Sequence, residues 1–412
     1  MREMKDSRIE WVGQIPSTWR INKGKYFISL LNKPARETDE IITCFRDGEV
    51  TLRSNRREDG FTVSLTETGY QGIDVGDLIV HGMDGFAGAI GISDSRGKAT
   101  PVLNVLNTTE CKKYLMYLMR SMAYCGLFLS LSTGIRVRTC DTNWKKLREI
   151  DYLLPDLLEQ QNIANFLDAK CAEIDDITSD IQAQIDTLEQ YKRSVITEVV
   201  TKGLNPDAEM KDSGIQWIGM IPSHWDCIRG KYILKYIQKP VREDDGVITC
   251  FRDGEVTLRS NRREDGFTVA DKEIGYQGID VGDLVVHGMD GFAGAIGISD
   301  SRGKASPVLN VLDTKQNKRY IMYFLRSMAY SDVFLALATG IRVRSCDLRW
   351  NKLAELFYPV PPIEEQDAIV QHIDDVLYKA NEVIAQKKDQ LSVLEAYKKS
   401  LIFEYVTGKK EV

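Results

Sequence analysis

Between Phe45 and Val63 the chain reads FRDGEVTLRSNRREDGFTV, which sets Arg46, Arg53, Arg56 and Arg57 close together with Asn55 among them. Guanidinium forks and carboxamides are the groups that read guanine and adenine edges, and guanidinium also holds phosphates. The chemistry on offer is therefore recognition of nucleic acid, yet Asp47, Glu49, Glu58 and Asp59 balance the charge, and a single copy taken alone reads better as a solvated charge run. The same nineteen residues recur from Phe251, so Arg252, Arg259, Asn261, Arg262 and Arg263 repeat the set. TGIRVR at 133–138 adds Arg136 and Arg138 on one face of an extended segment, and its copy at 339–344 adds Arg342 and Arg344. His81 and His287, each within VHGMDG, are the repeated histidines. They read first as structural hydrogen-bonding groups and second as base contacts.

No catalytic residue is assigned. GFAGAIG, from Gly85 and again from Gly291, spaces its glycines three apart and lacks the dinucleotide-binding pattern, and GKA at Gly97 lacks the Walker spacing. No Asn-Pro-Pro-Tyr or Asp-Pro-Pro-Tyr run, the mark of an amino-methylating site, occurs, and no repeated Ser or Cys near His81 completes a nucleophile and base. Four histidines and eight cysteines without a CxxC pair suggest no metal site and reduced thiols. At 43% hydrophobic and 28% charged the composition is that of a globular protein. No apolar run approaches the ~18 residues of a membrane span and the first residues lack a signal-peptide core, so a cytoplasmic location without a membrane partner is expected.

The elements that must position these residues come in duplicate. Trp11 and Trp217, Phe45 and Phe251, Trp144 and Trp350, and Tyr191 and Tyr397 each lie 206 residues apart, half of the 412-residue chain. A period this long gives each copy a core of its own. The expected divisions are 1–155 (an N-terminal segment and globular domain), 156–206 (a helical region), 207–361 (the second globular domain) and 362–412 (the second helical region). Net charge is −6 overall, but residues 20–150 hold 19 Lys/Arg against 15 Asp/Glu, and 151–206 hold 4 against 11. Phosphate affinity must therefore be local to the globular parts.

Those parts read as mixed α/β. EIITCF and GVITCF, DLIVHGMDG and AIGISDS are strand-like runs, Arg53 to Arg57 fall at an exposed strand–turn–strand corner, and KKYLMYLMRSMAYCGLFLSLS reads as one apolar helix. In the first helical region Leu167, Ile174, Ile181, Leu188 and Val195 recur every seven residues, with Ile163, Ile177, Ile185 and Tyr191 in the same stripe. The second keeps Ile369, Ile373, Val383, Leu391, Leu394 and Leu401 but has Ala380 and Lys387 where Ile174 and Ile181 stood. A rod of roughly 60 Å is not stable with its apolar face in water, so the two helices are expected to pair, the alternative being that each packs on its own globular domain. Over 42–106 against 248–312, 59 of 65 positions are identical, whereas over 159–202 against 365–408 only 14 of 44 are. Twin globular surfaces suggest twin ligands.

Taken in order and twice over, these motifs resemble the specificity subunit of a Type I restriction-modification enzyme, across essentially the whole chain. EWVGQIPSTW (from Glu10) and QWIGMIPSHW (from Gln216) precede the two domains. GIDVGDLIVHGMDGFAGAIGI (from Gly72) and its copy from Gly278 look like the family's GDLL-type strand and glycine turn. LLPDLLEQQNIANFLD and PVPPIEEQDAIVQHID carry the Pro and Glu-Gln signature at Pro155, Glu159, Gln160, Pro362, Glu365 and Gln366, and the helices end in YKRSVITEVVTKG and YKKSLIFEYVTGK. The resemblance implies an α/β fold of two target recognition domains in a pseudo-two-fold arrangement, joined by two long helices in an antiparallel coiled coil. It implies a non-catalytic, DNA-binding subunit whose partners are double-stranded DNA, two modification (methyltransferase) subunits docked on the helices, and restriction (translocase and nuclease) subunits. S-adenosylmethionine, ATP and Mg belong to those partners, and none is expected on this chain. Near-identical recognition domains depart from the usual family member and suggest an interrupted palindrome as target. The rivals are a two-lobed adaptor that binds only protein and an enzyme with an unrecognised site.

Overall fold

The computed structural model describes residues 2–56, 68–131, 142–262, 274–336 and 348–412. Arg57, Arg136, Arg138, Arg263, Arg342 and Arg344 lie outside the described residues. The chain forms two compact units, Met1–Ile181 with Lys388–Val412, and Gln182–Lys387.

The first copy opens with a hairpin of β1 (Met4–Asp6) and β2 (Gln14–Pro16), then β3 (Arg20–Lys23) and β4 (Ile28–Leu31). A second hairpin, β5 (Ile42–Cys44) and β6 (Val50–Leu52), leads to β7 (Gln71–Ile73), β8 (Leu78–His81), β9 (Ile90–Ile92), β10 (Gly97–Ala99) and β11 (Leu103–Thr108). Helices α1 (Lys112–Tyr124), α2 (Leu127–Ser130) and α3 (Trp144–Leu147), strand β12 (Asp151–Leu154) and the long helix α4 (Leu157–Lys202) follow. The second copy repeats this with β13 (Met210–Asp212), β14 (Met220–Pro222), β15 (Asp226–Arg229), a turn of helix α5 (Gly230–Ile233) and β16 (Leu234–Ile237). Next come β17 (Ile248–Cys250), β18 (Val256–Leu258), β19 (Gln277–Ile279), β20 (Leu284–His287), β21 (Ile296–Ile298), β22 (Gly303–Ala305) and β23 (Leu309–Thr314). It closes with α6 (Lys318–Tyr330), α7 (Val333–Ala336), α8 (Trp350–Glu355), β24 (Phe357–Val360) and the long helix α9 (Ile363–Val406).

Each globular domain is built on an antiparallel four-stranded sheet, ordered β4-β11-β8-β9 in the first and β16-β23-β20-β21 in the second. The central strands read as unbroken apolar runs because both faces are covered. Leu78, Val80 and Leu106 face α1 and the main core, while Ile79, Leu103 and Val105 pack with Ile42, Val50, Ile73 and Ala99 on the other side. The GIDVGD motif pins this second layer: Lys33 Nζ reaches Asp74 at 2.7 Å and Asp77 at 2.6 Å, and Arg96 joins Asp39 at 2.7 Å to Asp74 at 2.5 Å. Lys239, Asp280, Asp283, Arg302 and Asp245 repeat the network. The apolar helix expected at 112–132 is two helices, because Gly126 at φ +81 ends α1 and starts α2.

The long helices pair with each other and also complete the globular cores. In the first unit Ile163, Leu167, Cys171 and Ile174 of α4 share one buried cluster with Leu401, Ile402 and Val406 of α9. In the second, Ile369, Val370 and Ile373 of α9 share theirs with Ile196, Val199 and Val200 of α4. Each helix therefore starts on its own copy's domain and ends in the core of the other copy's domain. Asp175 to Lys398 at 2.6 Å, Phe166 on Tyr405 with ring centroids 4.4 Å apart, and Gln184 with Lys387 make the pairing antiparallel. Of the seven-residue series, Leu167, Ile174, Ile373 and Leu401 are buried and Ile181, Leu188, Val195, Leu391 and Leu394 half-buried. Ile177 and Tyr191, placed in the same stripe from sequence, are exposed. A strict seven-residue repeat drifts about 20° per heptad around a straight helix, so the buried line moves to Ile185, Ile196 and Val199.

Candidate nucleic-acid interface

The arginine-rich stretch is shaped by the β5–β6 hairpin. The hairpin tip is Phe45–Glu49, where Phe45 N donates to Glu49 O at 2.8 Å and Gly48 N to Phe45 O at 2.9 Å, while Arg53–Asn55 form a separate 3-10 turn after β6. Two residues force this placement. Gly48 sits at φ +89, where a Cβ would also strike the Arg120 guanidinium at 1.8 Å, and Asp47 Oδ1 accepts from Glu49 N at 3.0 Å. Arg120 on α1 holds the turn from behind, donating to Gly48 O at 2.9 Å and to Ile90 O at 2.8 Å. In the second copy Arg326 donates instead to Asp253 O and to Tyr330 Oη.

The arginines then divide by what they touch. Arg53, in the 3-10 turn that follows β6, donates Nε to Thr43 Oγ1 at 3.0 Å, and Asn55 Nδ2 donates to Thr51 Oγ1 at 2.8 Å. Arg56 lies over the Phe45 ring with its guanidinium 4.3 Å from the centroid, paired to Asp47 and, at 3.1 Å, to Glu49. Arg259, Asn261 and Arg262 repeat these contacts on Thr249, Thr257, Asp253, Glu255 and Phe251. Arg46 differs. Its side chain is 63% exposed and it reaches out of the turn to Asp84, Nη2 to Oδ1 at 2.8 Å; Arg252 and Asp290 do the same at 2.9 Å, with Arg252 60% exposed.

His81 ends β8 beneath Asp84. Its Nδ1 accepts from Met83 N at 3.2 Å and from Asp84 N at 3.0 Å, so the ring must be neutral with its proton on Nε2. Burial holds its pKa below the ordinary value, and the nearby Asp84 carboxylate offsets part of that. His287 holds Met289 and Asp290 in the same way. The histidines are thus supports for the Arg–Asp pairs, and Thr142 and Asn104 fix the backbone beneath them through His81 O, Gly82 O and Val80 O. The structure brings Arg46, Arg53, Asn55, Arg56 and His81 to one corner of the first domain, with Arg252, Arg259, Asn261, Arg262 and His287 at the matching corner of the second.

Sequence reading missed two sets of positioning residues. Arg120 and Arg326 sit in otherwise apolar helices, and their repetition inside RSMAY is the signal that marks them. The family-like motifs flanking the domains also gain a physical role. Trp19 Nε1 donates to Glu159 Oε2 at 3.0 Å and Trp225 Nε1 to Glu365 Oε2 at 3.1 Å. Gln160, fully buried, accepts from Cys111 N at 2.9 Å and donates to Pro155 O at 3.0 Å and Glu110 at 2.6 Å, and Gln366 bridges Asn317 N, Pro361 O and Gln316 likewise. These contacts clamp the start of each long helix to its domain. No His, Cys, Asp and Glu cluster able to hold a metal occurs among the described residues, and no helix there is long and apolar enough to cross a membrane.

Comparison with known proteins gives a consistent kinship. No family model matches the chain. It is 21% identical to the provisionally named type I restriction enzyme MjaX specificity subunit of Methanocaldococcus jannaschii, over 97% of this chain and 96% of that protein. The type I restriction enzyme MjaVIII specificity subunit of the same organism is 24% identical, over 97% and 94%. A solved chain from work on complex assembly and conformational transition of the type I R-M system superposes with TM-score 0.67 at 13% identity, covering 96% of this chain and 99% of that one.

Proposed function

We propose that this chain, whose curated homologues are specificity subunits of Type I restriction enzymes, is the DNA-reading subunit of such a system, with its two domains reading two like half-sites of an interrupted palindrome. The observation that carries the reading is the identity of the two exposed corners. The globular segments agree at 59 of 65 positions, and the Arg46–Asp84 and Arg252–Asp290 distances agree within 0.1 Å. Helices free to diverge have done so, while the surfaces facing a ligand have not. On this reading methyl transfer to adenine and restriction are performed by partner modification and restriction subunits, which hold S-adenosylmethionine, ATP and Mg, and the long helices carry the docking sites. The antiparallel run of α4 and α9 supports an inverted order of half-sites and makes helix length a ruler for the unread gap.

The test is selection from random duplexes by the full chain co-purified with a modification subunit, at stated salt. The reading expects two inverted copies of one short sequence around a fixed gap. An asymmetric bipartite site would refute the palindrome. No enrichment, with protein partners still bound, would favour the adaptor, which the local balance of Arg46, Arg53 and Arg56 by Asp47, Glu49 and Asp84 leaves as the second reading.

A further inference from the structure

Of the four described Arg and Asn side chains between Phe45 and Arg56, three are committed within the domain. Arg53 is held by Thr43, Asn55 by Thr51, and Arg56 by Phe45, Asp47 and Glu49. Arg46 is the exception, because its side chain makes a single hydrogen bond among the described residues, from Nη2 to Asp84 Oδ1. That bond uses one Nη2 hydrogen, so the second Nη2 hydrogen with its neighbouring donor forms an edge left for a partner, and Asp84, 34% exposed, takes on Oδ2 no hydrogen bond from a described residue. Arg252 and Asp290 repeat the pair at 60% and 35% exposure, with Asp290 Oδ2 also 3.8 Å from His287 Nε2.

The pair sets a donor beside an acceptor on two turns whose backbone is tied down. The Asp84 turn is tied down by two N–H bonds to His81 Nδ1, and the Arg46 turn is tied down by Arg120 on Gly48 O. Its charges cancel, and Asp47 and Glu49 lie nearby, so a phosphate gains little there. The major-groove edge of a G·C pair has the complementary pattern: O6 and N7 of guanine accept, and N4–H of cytosine donates. An adenine edge offers only one acceptor beside its own donor, which suits a carboxamide better than a guanidinium.

We propose that Arg46 with Asp84, and Arg252 with Asp290, each read one G·C base pair in their half-site, the guanidinium taking guanine and the carboxylate taking cytosine. This rests on the DNA-reading function proposed above and names what its exposed corner recognises. His81, His287, Arg120 and Arg326 are then positioning residues that hold the two turns at a fixed separation.

The test compares duplex selection by the full wild-type chain with selection by Arg46→Met, Arg252→Met and Asp84→Asn variants whose melting is unchanged. Wild type is expected to enrich one invariant G·C pair per half-site. Arg46→Met relaxes it in one half-site only and Arg252→Met in the other, each losing roughly 5- to 150-fold discrimination. Replacing that guanine with 7-deazaguanine, which lacks N7, weakens wild type and adds nothing to the loss in the matching variant. Asp84→Asn, which removes only the acceptor for cytosine N4–H, still selects G·C at that position but with weaker discrimination than wild type. If Arg46→Met leaves the enriched motif intact, the base-pair assignment is wrong while DNA reading stands. If it weakens all sequences alike and the salt dependence falls by about one ion, Arg46 is a phosphate contact and the assignment is equally wrong. If wild type enriches nothing, the proposed function fails first.

Discussion

Truncating Ile402 should loosen the domain made by the first copy of the sequence, although Ile402 belongs to the last turns of the second copy. Ile402 is fully buried and lies in one cluster with Leu78, Leu106, Tyr114, Leu153 and Val406. Ile402→Ala leaves a cavity that the surrounding helix and strand ends fill only in part, at a cost of about 2–4 kcal/mol. The Tyr114 hydroxyl, which donates to Leu153 O at 3.0 Å and to Val406 O at 3.3 Å, keeps the helix end from shifting to close that space. Ile196, its equivalent 206 residues earlier, packs into the second domain with Tyr320 and Ile369, so Ile196→Ala should injure that domain by a similar amount. Segment-resolved hydrogen exchange distinguishes the two. Ile402→Ala should speed exchange in 103–124 by about 30-fold to 1,000-fold and spare 309–330, and Ile196→Ala should do the reverse. Loss of protection in 309–330 on Ile402→Ala would refute the crossed completion of the cores.

Gln160→Leu should cost about 2–4 kcal/mol of thermal stability, because it strands the Cys111 N–H and the Pro155 carbonyl in a buried site, and a melting curve reads this directly. The His81 pair carries a pH signature. Its pKa is lowered in the folded chain, so below the unfolded value of ~6.5 the unfolded chain takes up protons first. Stability is full above that pH and declines as pH falls below it, and His81→Asn with His287→Asn should flatten the dependence of melting temperature on pH below ~6.5. The Lys33 hydrogen bond, with Arg96 second, holds Asp74 at about 2, so the network keeps its contribution above the ordinary carboxylate range and loses it as pH falls toward that value. Asp74→Asn with Asp280→Asn should remove this acid-limb slope. Adding one heptad to both long helices, about 10 Å or three base pairs, should lengthen the selected gap, and an unchanged gap would sink the ruler.

Much of the architecture is legible in the chain, for reasons particular residues make plain. The 206-residue register and the uninterrupted run from Glu159 to Lys202 leave little choice about two domains and two long helices. LIVH at 78–81 reads as a strand because it is apolar on both faces, as the two-sided burial of β8 requires. What periodicity does not carry is where a helix meets a domain. Ile196 and Ile402 lie off the seven-residue series, and their burial depends on the remote domain each helix reaches. The candidate site was legible as residue types but not as roles. Arg53 to Arg56 do fall at a turn after β6, but Gly48, whose positive φ shows only in the fold, makes a second turn that presents Arg46. Asp84 is 38 residues from Arg46, so their pairing was beyond any local reading.

The central claim is that two equivalent domains direct modification to two equivalent half-sites. The most direct measurement is a base-resolution map of methylated adenine in cells carrying this chain with its modification subunit, against the same cells with the chain deleted. Two equivalent readers should give a methylated sequence present only with the chain, made of two identical inverted halves around a constant gap. A map that is unchanged by the deletion, or a chain-dependent site whose halves differ, would contradict it.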